Sequence, residues 1–192
     1  MTTPSDPVDS HDSAAPPDTA LVRTSTTDPG AVLGAASIGT DGGPVLAVLA
    51  TLPRERFERR LSGAGYDAGE SRVVGFVPQV DRDERSDPDE GGRTLGDVAG
   101  LSMALVGRFD GLAEEGGTVY LDSLEPFVAV AGLESTFRFL VIVAARAGAT
   151  GVPLVARLDP DAVGPVAAGT LSEAFDRVLE APASDAEADA TG

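Results

Sequence analysis

Residues Gly117 to Leu124 read Gly-Thr-Val-Tyr-Leu-Asp-Ser-Leu, a short apolar run that ends on a carboxylate and a hydroxyl. Four apolar or β-branched residues closed by an acid predict a strand over Thr118–Leu121 whose carboxyl end presents Asp122 and Ser123, where open α/β sheets gather their ligands. Outward from this run, strands and helices alternate. Continuous Val/Leu/Ala runs at Ala20–Thr24, Val45–Ala50, Val73–Val77 and Pro153–Leu158 predict further strands buried on both faces. Apolar residues three and four apart predict the helices: Val98, Leu101, Leu105, Phe109 and Leu112 behind a Thr94/Asp97 cap, and Leu133, Phe137, Leu140, Val141 and Ala144 with Glu134 and Arg138 as a side pair. A short helix from Pro53 turns Phe57 and Leu61 inward, a small-residue helix starts near Ala31, and a last helix within Val166–Leu179 buries Leu171, Phe175 and Val178. This order predicts an α/β fold, a doubly wound, mainly parallel sheet with helices on both faces.

Composition bounds the rest. The 192 residues hold 31 Asp+Glu against 14 arginines and no lysine, for a net charge of −17, with no cysteine and one histidine, His11. Thiolate chemistry, disulfides, a histidine metal site and a Ser-His or Ser-Lys dyad are excluded, leaving Ser123 and Ser135 without an activating base. Polyanions are repelled, so neither nucleic acid nor an anionic membrane is an expected partner. Acidity without lysine suits a cytoplasm with molar salt, where carboxylates on a surface are screened. The first ten residues lack the basic and apolar regions of a signal peptide, and Glu134 and Arg138 interrupt the longest apolar stretch, which predicts a soluble, cytoplasmic chain. Disordered tails are expected at 1–18 and 181–192, around a single domain over 19–180 that carries an acidic loop at 81–93.

Four strand ends are candidate sites. Ser25-Thr-Thr-Asp-Pro-Gly30 follows the first strand, but a phosphate loop needs several glycines, a lysine and a hydroxyl. Here Gly30 stands alone, Pro29 has no N–H, and Asp28 has the wrong sign. Asp122 is either a magnesium ligand through water or, with Ser123, a turn cap that bonds backbone N–H groups. Ala50 and Thr51, after the second strand, offer no general base. Asp159-Pro160-Asp161 is a turn signature first and a cation site second.

Together these elements resemble the RecA/KaiC-like ATPase core over roughly Ala20–Glu180. The most specific part is Thr118–Arg138, similar to the family's Walker B strand, turn and following helix. Gly43-Pro-Val-Leu-Ala-Val48, with Pro53, Phe57, Leu61 and Gly65-Tyr-Asp67, resembles its second strand and helix. Small proteins of this kind are common in haloarchaeal proteomes. The resemblance implies a P-loop NTPase-like fold with Gly30, Asp122 and Ser123 as the vestige of a nucleotide site, and Asp122 as its metal ligand. Ser25–Val32 keeps neither the lysine nor the hydroxyl of Walker A, so the implied protein is a pseudo-ATPase. It needs no cofactor, with Mg-ATP the one possibility left, and acts in regulation or signalling through a protein partner or self-association. The alternatives are a degenerate nucleotide- or magnesium-binding protein that uses Asp122, or Asp122 with Asp159, completed by a partner subunit, and a flavodoxin-type binding domain.

Overall fold

The computed structural model describes residues 19–38, 43–66, 68–76, 93–95 and 98–182. Seven strands, β1 (Thr19–Arg23), β2 (Val45–Leu49), β3 (Arg72–Phe76), β4 (Arg93–Leu95), β5 (Thr118–Leu121), β6 (Leu154–Leu158) and β7 (Arg177–Glu180), form one sheet in the order β4-β3-β2-β5-β6-β1-β7. Every pairing is parallel. The chain starts near one edge, crosses over the places later taken by β6 and β5 to lay down β2, and returns to fill the gap. The carboxyl ends of β1 and β5 therefore flank β6.

Helices cover both faces, as the buried strands require. On one face α1 (Pro29–Ala36) and α2 (Arg54–Gly63) set Val32, Leu33, Phe57 and Leu61 against Val45, Ala47, Tyr120 and Val155. On the other, α3 (Val98–Val106), α4 (Phe109–Glu114), α5 (Glu125–Ala131), α6 (Leu133–Thr150) and α8 (Pro165–Ser172) pack Leu105, Phe109, Phe127, Phe139 and Leu171 over Leu46, Leu121 and Ala156. One short turn, α7 (Pro160–Val163), links β6 to α8. In α6 the residues Phe139, Leu140, Val143 and Ala147 share the buried face, and Glu134 and Arg138 pair across one turn at 2.7 Å. Gly151, at φ 79°, takes the left-handed conformation that stops this helix.

The structure departs from the sequence expectations in several places, and one is Val141, expected on the inward stripe of α6 but 43% exposed. The last helix ends at Ser172, and Arg177–Glu180 is instead strand β7, paired with β1 from Ala20↔Arg177 to Arg23↔Glu180. Leu171 and Phe175 are still buried, but Val178 is 41% exposed. The free hydrogen-bonding edge of β1 decides this segment over its helical spacing, a tertiary override of a local pattern. The helix expected from Thr94 to Leu112 divides: Thr94 lies in β4, and Gly107 and Arg108 separate α3 from α4. Gly132, at φ 80°, separates α5 from α6. Ala181 and Pro182, assigned to the C-terminal tail, bond to Arg23 and Thr24 at the end of β1. Expectations for residues 1–18, for most of the acidic loop, and for 183–192 fall outside the described residues, as do Val77 and Asp97. Among the described residues no helix is long and apolar enough to cross a membrane.

Candidate functional site at the strand carboxyl ends

Asp122 follows the last residue of β5 and is 1% exposed. Its Oδ1 accepts the Ala50 N–H at 2.7 Å, and its Oδ2 accepts the Thr51 N–H, the Thr51 hydroxyl and the Leu52 N–H, each at 2.9 Å. The carboxylate thus closes the loop from β2 to α2, gathering N–H groups that a strand leaving its sheet would otherwise leave unmatched. Ala50 and Thr51, the positions where a general base was absent from the sequence, are its donors. Both carboxylate oxygens already face the protein's own donors.

The second centre is Arg157, in β6 and 5% exposed. A charge inside an otherwise apolar buried strand must find partners, and this one finds them on every side. Its Nε donates to the Asp122 carbonyl at 2.7 Å, and Nη1 to the carbonyls of Thr24 and Thr26 at 3.2 and 3.4 Å. Nη2 reaches the Ser123 hydroxyl at 3.2 Å and the Glu125 carboxylate at 3.3 Å. One guanidinium therefore ties the loop after β1 to the turn after β5, filling the space between the two strand ends with positive charge. Ser123 is fully buried, and its hydroxyl donates to Glu125, which also accepts the Asp159 N–H. Burial pushes the Glu125 carboxyl above its ordinary value, against the opposing pull of Arg157 and of the Asp159 N–H.

Gly30 belongs to a different contact. Its N–H donates to Asp28 Oδ1 at 2.9 Å, so the first turn of α1 is capped by its own chain. A Cβ at Gly30 would lie 2.3 Å from the Cβ of Ala64 at the end of α2. Close approach of the two helices accounts for the glycine. The rest of this loop is held locally, by Thr24 and Thr26 hydroxyls accepting N–H groups two residues on and by Arg60 donating to Thr27. Asp159 likewise caps α7 through the Asp161 N–H at 3.1 Å. Among the described residues no group of three or more His, Cys, Asp or Glu side chains is placed to hold a metal ion.

Sequence reasoning singled out Gly30, Asp122, Ser123 and Asp159; around Arg157 and Glu125 the structure gathers the Ser123 hydroxyl, the Asp122 carbonyl and the Asp159 N–H, while the two aspartate carboxylates and Gly30 serve their own loops. It missed Arg157 and Glu125. The signal for Arg157 was present, a lone charge at an inner position of Leu-Val-Ala-Arg-Leu. Tyr120 was also unremarked: it is fully buried, stacks on Phe57 with ring centroids 5.9 Å apart, and its hydroxyl has no partner among the described residues. Burial and the Asp122 charge both raise its pKa.

A model of the family of unknown function DUF7504 matches residues 19–181. The chain belongs to this family. The match takes in the seven described strands and the whole cluster around Arg157. Among solved structures, this DUF7504 chain is similar to the KaiC-like protein PH0186 from the hyperthermophilic archaeon Pyrococcus horikoshii OT3. That likeness has a TM-score of 0.52 and 13% identity, over 85% of this chain and 72% of that one. A second chain from the same organism, solved as a structural study of project PH0250, aligns at 12% identity over 88% of this chain and 83% of its own, with a TM-score of 0.49. No curated protein matches the sequence. The likeness to the KaiC-like protein is one of fold, and the DUF7504 sheet is RecA/KaiC-like.

Proposed function

We propose that this protein is a non-catalytic RecA/KaiC-like module, a pseudo-ATPase that acts by binding another protein in a regulatory or signalling role. The observation that carries the reading is the guanidinium of Arg157, buried between the ends of β1 and β5 and matched there by carbonyls, a hydroxyl and a carboxylate. A phosphate entering between these two strand ends would have to displace a buried ion pair, at a cost of several kcal/mol before any contact of its own was made. Asp122 supports the same reading: a carboxylate already accepting three backbone N–H groups has little capacity left to orient a hydrated magnesium ion. The loop after β1 adds neither a lysine nor a set of converging N–H groups. An acidic chain suits a salt-rich cytoplasm.

Calorimetric titration of the full chain with Mg-ATP and Mg-GTP, in molar KCl, tests the reading. No heat at high protein concentration is the expected result. Saturable binding of either nucleotide overturns it and makes nucleotide sensing at Asp122 the better account.

A further inference from the structure

α3 reads Val-Ala-Gly-Leu-Ser-Met-Ala-Leu-Val and carries no charged residue. A helix apolar on all sides belongs inside a structure. Yet in α3 only Leu101 and Leu105 are buried, and Met103 stands 74% exposed. Beside it, α3, α5 and α6 enclose an open cavity of about 470 Å³ lined by Val98, Ser102, Val130, Ser135, Phe139 and Ile142, with Arg138 at its wall. The outer side of α6 extends this face with Val141 and Ile142, both more than 40% exposed, followed by Ala145 and Ala149. The charges that α6 brings near it are matched within the chain, Arg138 to Glu134 and Arg146 to Asp110.

The segments outside the described residues are no candidates to cover this face, because 1–18, 81–92 and 183–192 are polar or acidic and carry no apolar stripe of helical period, 77–80 offers only two valines, and 39–42, 67 and 96–97 are four residues or fewer. With a net charge of −17, two copies repel over most of their surface. A face whose nearby charges are already matched is where they can meet. Knob and hollow are neighbours on this one face, the arrangement that a two-fold axis needs, since each copy then gives Met103 and receives Met103. The size is near what is needed: α6, α3 and α5 are 18, 9 and 7 residues long, so about 27, 14 and 10 Å, and at about 10 Å of width each they cover on the order of 500 Å² in projection, somewhat below the ~800 Å² of accessible surface per partner in a stable interface.

We propose that the α3–α6 face is a two-fold interface between copies of this chain, with each Met103 seated in the partner's α3–α5–α6 cavity. This rests on the protein-binding reading and deepens it by naming the partner, a second copy, and it is measured without nucleotide.

Sedimentation equilibrium of the full chain in molar KCl is the test. The wild type should be a dimer, and Met103→Glu and Ile142→Glu should each weaken association by at least about a hundredfold, because symmetry counts each change twice. Both side chains are exposed, so the urea midpoint of the monomer should stay within error. The chain has no cysteine, so an equimolar mixture of Met103→Cys and Ser135→Cys should form the mixed disulfide faster than either symmetric one. A wild-type monomer, a dimer indifferent to both charges, or a mixed disulfide no faster than the others overturns the proposal. A wild-type monomer that also gives no heat with nucleotide leaves the protein-binding reading standing with a different partner. A monomer that binds nucleotide removes both.

Discussion

Replacing Asp122 with alanine separates a structural carboxylate from a ligand-binding one. In the folded chain this side chain accepts the N–H groups of Ala50, Thr51 and Leu52 and the Thr51 hydroxyl. Thr51 is exposed, so its N–H and hydroxyl turn to water at little cost. Ala50 and Leu52 are half-buried, and each N–H left without a partner there costs about 1–3 kcal/mol. The expected loss is therefore about 2–6 kcal/mol. With a urea slope of about 2 kcal/mol per molar for a domain of this size, the midpoint falls by roughly 1–3 M. Asp122→Asn should do no better than alanine at one of the two oxygens, because its amide NH₂ meets other donors. An acid kept for a ligand behaves in the opposite way: removing it is commonly neutral or stabilising. Urea unfolding in molar KCl, followed by circular dichroism, decides between them. A midpoint unchanged or raised in both variants would refute the assignment of Asp122 to the β2–α2 loop.

Gly30→Ala should destabilise by about 1–3 kcal/mol through the collision with Ala64, and adding Ala64→Gly should recover most of that loss in the same assay. Arg157→Leu should cost about 3–5 kcal/mol by leaving Glu125 buried beside no cation, and the double variant Arg157→Leu/Glu125→Gln should unfold at a higher urea concentration than the single one. For Glu125 the folded pKa lies above its ordinary 4.5, so its contribution to stability is present below about pH 4.5 and declines as the pH rises through the raised value. Urea midpoints measured at a series of pH values should show this decline in the wild type and lack it in Glu125→Gln; the same slope in both would refute the assignment.

Much of the sheet was legible because its central strands are buried on both faces and so read as unbroken apolar runs. β2, β5 and β6 were placed within a residue for that reason. The edges were not. β4 has three residues, and β7 has four with alternate side chains exposed. Short strands of this kind carry little pattern of their own and take their conformation from the neighbour they join. The spacing of Leu171, Phe175 and Val178 also fits a helix, and only the open edge of β1 rules it out. At the site, Asp122 was legible as a strand-end acid, but its partners lie some 70 residues away in sequence. Arg157 draws its partners from loops after β1 and β5, so no local window could show that its charge is neutralised.

The position of β1 bears on how the chain is made. Its partners on the two sides are β6 and β7, and Thr19 pairs with Leu154, 135 residues later. At roughly 5–20 residues per second, a ribosome takes about 7–27 s to supply that partner. During this interval β2, β3 and β5 can already assemble, while the apolar Ala20-Leu21-Val22 has no edge to join. Of the described strands, the first to be made is among the last to enter the sheet. A nascent chain stalled before Leu158 therefore holds a sticky N-terminal segment, and chaperone capture should concentrate there rather than at the chain's centre.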